Sequence, residues 1–347
     1  MKPPKLNKSI PVVRMASILR YMHHIETIGA SIDRLLDCSR IPAALLDHPT
    51  AALSREAAYG FGELACRTLG TEHLGLYVGL ASKLDDLGSY GEMLRSSLTI
   101  QEYLRKGIAF YNMLSTGHRL WLSEHGEELL FHVTNLGGPG IGAYQTELET
   151  LVVTIAKIKD AAGPGWAPRE IGLAYRARED LPDIDLFAGS RVLRGIGETY
   201  FTIPRALMGL RFSNGNGGTP PRHPSSDAMH PLPEDLYGQV RLQIDNLLSD
   251  ARLSINTVAE SLGMSRRGLQ RGLAGQGLTY SQLLAESRLH QAAKWLQSSD
   301  KPIAEIAYAL GYTDASNFTR AFRKLTGVSP QAFRLSTQTS TSRKPWK

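Results

Sequence analysis

Apolar residues recur at helical spacing over Ala16–Ile28 and again over Ser54–Leu69, which predicts two amphipathic helices early in the chain. Tyr90–Leu114 carries the same period and predicts one long helix or two. The period then changes. Leu120 and Leu122 alternate with polar neighbours, as do Leu129, Phe131 and Val133, and Glu124-His125-Gly126-Glu127 separates the two sets. That is the pattern of a β-hairpin. Leu148, Leu151, Val152, Ile155 and Ile158 return to helical spacing, and further strands are expected near Glu170–Tyr175 and Glu198–Ile203. Helices and strands mixed in this way predict an α+β domain, an architecture suited to enclosing a small-molecule pocket.

The apolar period disappears over Ser213–Pro233. Ser213-Asn214-Gly215-Asn216-Gly217-Gly218-Thr219-Pro220-Pro221 is followed by His223-Pro224 and Pro231-Leu232-Pro233. Glycine supplies freedom and proline extension, so this stretch reads as a flexible linker that lets its flanking domains change relative position. The expected division is a first domain at 1–212, a linker at 213–233, an all-helical domain at 234–336 and a basic tail at 337–347.

Within the helical domain one pattern occurs twice. Val258-Ala259-Glu260-Ser261-Leu262-Gly263-Met264-Ser265 is followed by Leu269, Arg271 and Leu273. Ile306-Ala307-Tyr308-Ala309-Leu310-Gly311-Tyr312-Thr313 is followed by Phe318, Arg320 and Phe322. Each copy reads as a short helix, a glycine turn and a second helix, hence a helix-turn-helix, at about 256–277 and about 303–326. Ala259 and Ala307 leave room for a crossing helix. Gly263 and Gly311 suit the left-handed conformation that ends a helix. Ser265 and Thr313-Asp314 offer capping oxygens. Leu269 and Leu273, like Phe318 and Phe322, lie four apart on one buried face. Arg267, Gln270 and Arg271 then fall on the opposite side, as do Ser316, Asn317 and Arg320. Arginine and glutamine are the side chains that make bidentate contacts to guanine and adenine edges. Between the copies, Tyr280–Leu296 carries Leu283, Leu284, Leu289, Ala292, Ala293 and Leu296 at helical spacing and predicts one long connecting helix.

This part of the chain resembles the AraC/XylS family of bacterial transcription regulators. The resemblance covers roughly Leu236–Leu335. Its most specific run is Pro302-Ile303-Ala304-Glu305-Ile306-Ala307 through Gly311-Tyr312, Ser316, Phe318, Arg320-Ala321-Phe322, Gly327 and Ser329-Pro330. It implies base contacts from Arg267, Gln270 and Arg271 in the first module and from Ala315, Ser316, Asn317 and Arg320 in the second. Arg266, Arg323 and Lys324 complete the candidate DNA-binding set. Gly268 and Gly272 depart from the family pattern, which often has Thr, Ser or a basic residue there. Each glycine costs about 1 kcal/mol of helix stability relative to alanine, so the first module is expected to be loose or to order only on DNA. Upstream, Leu69-Gly70, Leu74-Gly75-Leu76, Leu87-Gly88, the helix around Ser97–Tyr103 and Phe201 look like the arabinose-binding-like effector domain of one branch of the family. The label does not imply arabinose. The resemblance implies a regulator of promoter DNA that responds to a small-molecule effector, activates more often than it represses, engages RNA polymerase and can form a homodimer. Residues 1–212 would be the effector-binding and dimerisation domain, with no effector-binding residue identified.

Composition adds bounds. A chain of 347 residues is long enough for two cores. No stretch of about 18 apolar residues is present, and Met1-Lys2-Pro3-Pro4-Lys5 lacks the apolar run of a secretory signal, so a cytoplasmic protein without membrane contact is expected. The net charge of +6 is unevenly shared: residues 1–235 sum to −2, residues 236–336 to +5, and Arg343, Lys344 and Lys347 add +3. A basic surface on the helical domain is the footprint of phosphate binding. Cys38 and Cys66 sit in no metal pattern and are expected to be reduced and buried.

Weaker features lead to no chemistry. Gly137-Gly138-Pro139-Gly140-Ile141-Gly142 lacks the Lys-Ser/Thr pair of a phosphate loop. His118, His125 and His132 are separated by a turn and do not form a metal triad on one helix face. Glu127-Glu128 and Asp85-Asp86 have no nucleophile beside them. Tyr103, Phe110, Tyr111 and Trp121 suit either a pocket lining or the core. No catalytic residue, cofactor or metal is therefore expected. The rival readings are a metabolic enzyme using the glycine loop and a structural interaction protein with a helical C-terminal bundle. A DNA-repair methyltransferase would need a zinc-bound cysteine cluster that two cysteines cannot supply.

Overall fold

The computed structural model describes residues 10–138, 140–212 and 230–341. Strand β1 (Val12–Arg14) runs directly into α1 (Met15–Thr27); α2 (Asp33–Cys38) follows, and β2 (Ala52–Ser54) leads into α3 (Arg55–Leu69). Next come α4 (Leu74–Ala81), α5 (Gly88–Arg95) and α6 (Ile100–Phe110), then β3 (His118–His125), β4 (Glu128–Asn135) and α7 (Ile141–Ala162). Strands β5 (Glu170–Leu173), β6 (Arg191–Arg194) and β7 (Thr199–Pro204) complete the α+β part. Among the described residues only α-helices follow from 230 on: α8 (Leu236–Leu247), α9 (Ile255–Ser261), α10 (Arg266–Ala274), α11 (Tyr280–Ser298), α12 (Ile303–Ala309), α13 (Ala315–Thr326) and α14 (Pro330–Thr341). Contacts divide the chain into two units, with the break between Glu234 and Asp235.

Polar side chains set two of the helix starts in the first unit. The Ser54 hydroxyl accepts from the Ala57 N–H and starts α3. Thr99 does the same for Glu102 and starts α6, so the helical period over Tyr90–Leu114 resolves into two helices. Strands β3 and β4 pair antiparallel with Leu120 opposite Val133 and Leu122 opposite Phe131. Gly126, at φ 61°, carries the tight turn, so β3 runs on through Glu124 and His125 and the turn shortens to Gly126 and Glu127. The sheet order is β3-β4-β7-β5-β6, antiparallel except for the β5–β6 pair. The short edge strand β6, with arginine at both ends, has no sequence signal.

Helix α7 is the centre of this unit. Leu148, Val152 and Ile155 are fully buried and share one cluster with Phe131 and Val133 of β4 and Phe201 and Ile203 of β7. Burying each such side chain stabilises by roughly 1.5–3 kcal/mol.

Two findings differ from the sequence expectations. Cys38 is exposed at the end of α2, whereas Cys66 is buried, and burial pushes its thiol up to about 11. Residues 213–229 of the expected linker and residues 342–347 of the basic tail lie outside the described residues. The final linker residues, 230–233, are fixed rather than free. Leu232 is buried and its N–H donates to the Asn112 carbonyl at 2.9 Å. The buried Arg14 guanidinium donates to the carbonyls of Thr50 and His230, and its Nε to that of Met113 at 3.0 Å. An apolar side chain between two prolines is what anchors this stretch.

Candidate nucleic-acid interface

The two helix-turn-helix copies share one backbone device. In the first, Gly263 takes φ 66° and the Met264 N–H donates to the Ala259 carbonyl at 2.8 Å. In the second, Gly311 takes φ 74° and the Tyr312 N–H donates to the Ala307 carbonyl at 3.0 Å. This is how a left-handed glycine closes a helix and satisfies its last carbonyls. Ala259 and Ala307 are buried, as the close helix crossing requires. Ser265 caps α10, its Oγ accepting from the Gly268 N–H at 3.1 Å. Asp314 caps α13, its Oδ1 accepting from the Asn317 N–H at 2.6 Å.

Each second helix then buries one face. Leu269 and Leu273 are fully buried on α10. On α13, Phe318 and Phe322 join a chain of rings: Tyr312–Phe318 at 5.4 Å, Phe318–Phe322 at 5.7 Å and Phe322–Phe333 of α14 at 5.5 Å. The opposite faces are polar. Arg266, Arg267, Gln270 and Arg271 are exposed on α10, and Ser316, Arg320, Arg323 and Lys324 on α13; Ala315 and Asn317 are half-buried. Asn317 is already engaged: its Nδ2 donates to Thr313 Oγ1 at 3.2 Å, and its Oδ1 accepts from Arg320 Nη2 at 2.6 Å. Arg320 is thereby held in one orientation.

Helix α10 runs without interruption over Arg266–Ala274, with both Gly268 and Gly272 inside it. Gly272 has a packing reason: a Cβ there would stand 2.5 Å from Leu236 Cδ2 of α8. Gly272→Ala should therefore not deliver the usual gain of about 1 kcal/mol in helix propensity. Overpacking of about 1–3 kcal/mol opposes it, and urea unfolding should show an unchanged or lower midpoint. A raised midpoint would mean that Leu236 yields freely.

The connector α11 starts with a capping box, Thr279 and Gln282, and runs for 19 residues, about 28 Å at 1.5 Å per residue. One DNA turn is about 34 Å. Leu283, Ala292 and Leu296 are buried, and α11 packs against α8, α12 and α14. The Arg288 guanidinium lies 4.9 Å from the Tyr312 ring centroid and Nη2 donates to the Gly311 carbonyl at 3.3 Å, tying the connector to the second turn.

The first unit contains a cavity of ≈80 Å³ between α1, α3, α5, α6 and α7. Tyr103 and Tyr111 line it, whereas Phe110 is exposed and Trp121 stacks on His132 at 4.6 Å. One wall holds the ion pair Arg20 Nη2–Glu149 Oε1 at 2.8 Å. Burial raises the Glu149 carboxyl above its usual range, against the opposing pull of Arg20. The sequence reading missed this pair. Its signal is a charge on an otherwise apolar face: Arg20 beside Ile18 and Tyr21, Glu149 beside Leu148 and Leu151.

The weaker motifs find structural places. His118 is half-buried between Tyr59, whose hydroxyl is 2.8 Å from Nε2, and Ser115, whose Oγ is 2.7 Å from Nδ1. Burial and the nearby Arg55 push it down to about 3, so it is neutral. Glu128 pairs with Arg169 at 2.8 Å, Asp85 with Arg95, and Asp86 accepts from the Lys83 N–H. The glycine run leads into α7, with Gly142 already inside the helix.

Comparison with known proteins accords with this geometry. A helix-turn-helix domain family matches residues 258–336, and the N-terminal arabinose-binding domain of AraC transcription regulators matches residues 29–212. The ornithine utilization regulator of Pseudomonas aeruginosa is 26% identical over 96% of this chain and 99% of its own length. The transcriptional activator NphR of Rhodococcus is 33% identical over 29% of this chain and 30% of its own. The crystal structure of the transcriptional regulator CdpR from Pseudomonas aeruginosa is 21% identical and covers 92% of this chain and 98% of that one, with a TM-score of 0.40. No described helix is long and apolar enough to cross a membrane.

Proposed function

The chain belongs to the AraC family of transcription regulators, and from that premise we propose that residues 234–336 read promoter DNA through α10 and α13 under the control of a small-molecule effector held by residues 1–212. The observation that carries this reading is the pair of capped, arginine-bearing helices built on one connector. Among the described residues no hydrogen bond or ion pair engages the side chains of Arg266, Arg267, Gln270, Arg271, Arg323 or Lys324, so these donors are available to a polyanion.

Arg267, Gln270 and Arg271 address base edges in one major-groove segment, and Arg320 with Ser316 those in the next. Ala315 offers an apolar contact to a thymine methyl. Asn317 positions Arg320. Arg266, Arg323 and Lys324 neutralise phosphates, which fix register without reading sequence. A connector shorter than one DNA turn favours a bend in the duplex, at an elastic cost of a few kcal/mol.

The protein acts in the cytoplasm, by binding rather than catalysis, as a homodimer that recruits RNA polymerase. Its likeness to the activator NphR supports activation. The full-length likeness to an ornithine utilization regulator supports a metabolite as effector. The effector acts by binding one conformational state more tightly than another.

Arg320→Ala should lower affinity for the selected operator by about 1–3 kcal/mol and relax discrimination at one base pair. Wild-type affinity should fall steeply with salt as counterions are released. Operators selected from random DNA, then titrated with both proteins over a range of salt, test this. Equal preference for operator and scrambled DNA, or a flat salt dependence, would contradict it.

A further inference from the structure

The cavity of the first unit has a wall that stability does not explain. Arg20 and Glu149 sit with side chains 13% and 7% exposed, on two different helices, and form an ion pair. Among the described residues no hydrogen bond reaches Arg20 Nε, while Glu149 Oε1 meets Arg20 Nη2 and the carboxylate is approached by the Tyr21 hydroxyl. Taking two charges out of water costs several kcal/mol per ion, and the attraction between them repays that only when the remaining donors and acceptors are satisfied. Here they are not. Both residues line the cavity. The rest of the lining is apolar or hydroxylic, with Ile18, Phe61, Leu94 and Leu114 on one side and Thr150 with the Tyr111 hydroxyl 3.2 Å away on the other, apart from Gln145, whose amide already bonds the Gly75 N–H and the Glu72 carbonyl.

The charges of this wall cancel, which restricts the ligand. A molecule with a single charge would leave an uncompensated ion in a desolvated site. A molecule with no charge would leave two charged groups facing weak partners. A small zwitterion matches both: its carboxylate meets the Arg20 Nε–H and its ammonium meets Glu149 Oε1, and such charge-assisted hydrogen bonds are about twice as strong as neutral ones. At ≈80 Å³ the cavity is about half the size of one that admits benzene, about 150 Å³. It therefore suits a short aliphatic side chain.

We propose that this cavity is the effector site and that it recognises a short-chain α-amino acid through the Arg20–Glu149 pair. The assignment rests on the effector-responsive reading above and adds to it the place and the ligand class.

The test is thermal unfolding of the full chain with four isosteric probes at matched concentration: L-2-aminobutyrate, butyrate, n-propylamine and butyramide. The amino acid should raise Tm by about 5–10 °C at roughly 100 times its Kd, and the other three should leave it unchanged. Arg20→Met and Glu149→Gln should each abolish the shift. Because either single change strands a buried charge, the double variant R20M/E149M is the firmer test: removing both charges together should leave the chain folded and blind to the amino acid. The proposal is overturned by an equal shift with butyramide, by a shift with one ionic analogue alone, by a shift that survives in the double variant, or by no response to any probe. Salt-sensitive DNA binding measured on the same preparations separates the two readings. If it persists without a ligand response, only this site assignment fails; if it is absent, the regulator reading itself fails.

Discussion

Phe322→Ala is expected to cost about 3–5 kcal/mol, the range for removing a buried phenylalanine from a core, and to dismantle the second reading module. Phe322 is 2% exposed and stands in the middle of the ring chain that joins α13 to α14 through Phe333. Whole-domain stabilities are of the order of 5–15 kcal/mol, so this one side chain holds a large share. Urea unfolding followed by helical circular dichroism should show an early transition for the second unit. DNA affinity should fall with it, because the frame is lost rather than a contact. Arg320→Ala provides the contrast, with weaker binding on an unchanged unfolding curve. A loss under about 1 kcal/mol at Phe322 would mean that α14 contributes little to holding α13.

Glu147→Gln is expected to make the protein more stable as pH rises from 4.5 through 7, with little effect at acid pH. Glu147 lies on α7, 4% exposed, and accepts from Thr199 Oγ1 at 2.6 Å. Burial pushes its carboxyl up to about 7, although the hydrogen bond pulls the other way, against an ordinary value of 4.5. The folded protein therefore holds this proton more tightly than the unfolded chain does. The contribution of the group is fully present below pH 4.5 and is lost as pH rises through 7, reaching a deficit of about 3 kcal/mol by pH 8.5. Glutamine stays neutral and can accept the same hydrogen bond. The variant should lie within about 1 kcal/mol of the parent at pH 5, and the gap should widen by about 2–3 kcal/mol at pH 8.5. Unfolding of both proteins at the two pH values measures it; a gap that does not change with pH would show Glu147 to be ionised throughout.

The second unit was largely legible because its signals are local. Gly263 and Gly311, the caps Ser265 and Asp314, and the paired apolar residues of α10 and α13 each act within a few positions of chain, and all of them recur. The packing of Gly272 against Leu236 was not legible, because Leu236 comes from another helix. In the first unit the hairpin and α7 followed from periodicity, whereas the cavity did not. Arg20 and Glu149 are far apart in sequence, and each alone reads as a charge misplaced on an apolar face. The docked end of the linker escaped for the same reason, since its acceptor carbonyls lie at Asn112 and its clamp at Arg14.

The turn from Tyr111 to Ser115 faces two ways. Tyr111, Leu114 and Ser115 form part of the cavity wall, while the carbonyls of Asn112 and Met113 hold the Leu232 N–H and the Arg14 guanidinium that grip the departing chain. The lining of the hollow and the grip on the chain that enters the second unit are thus built from one five-residue turn.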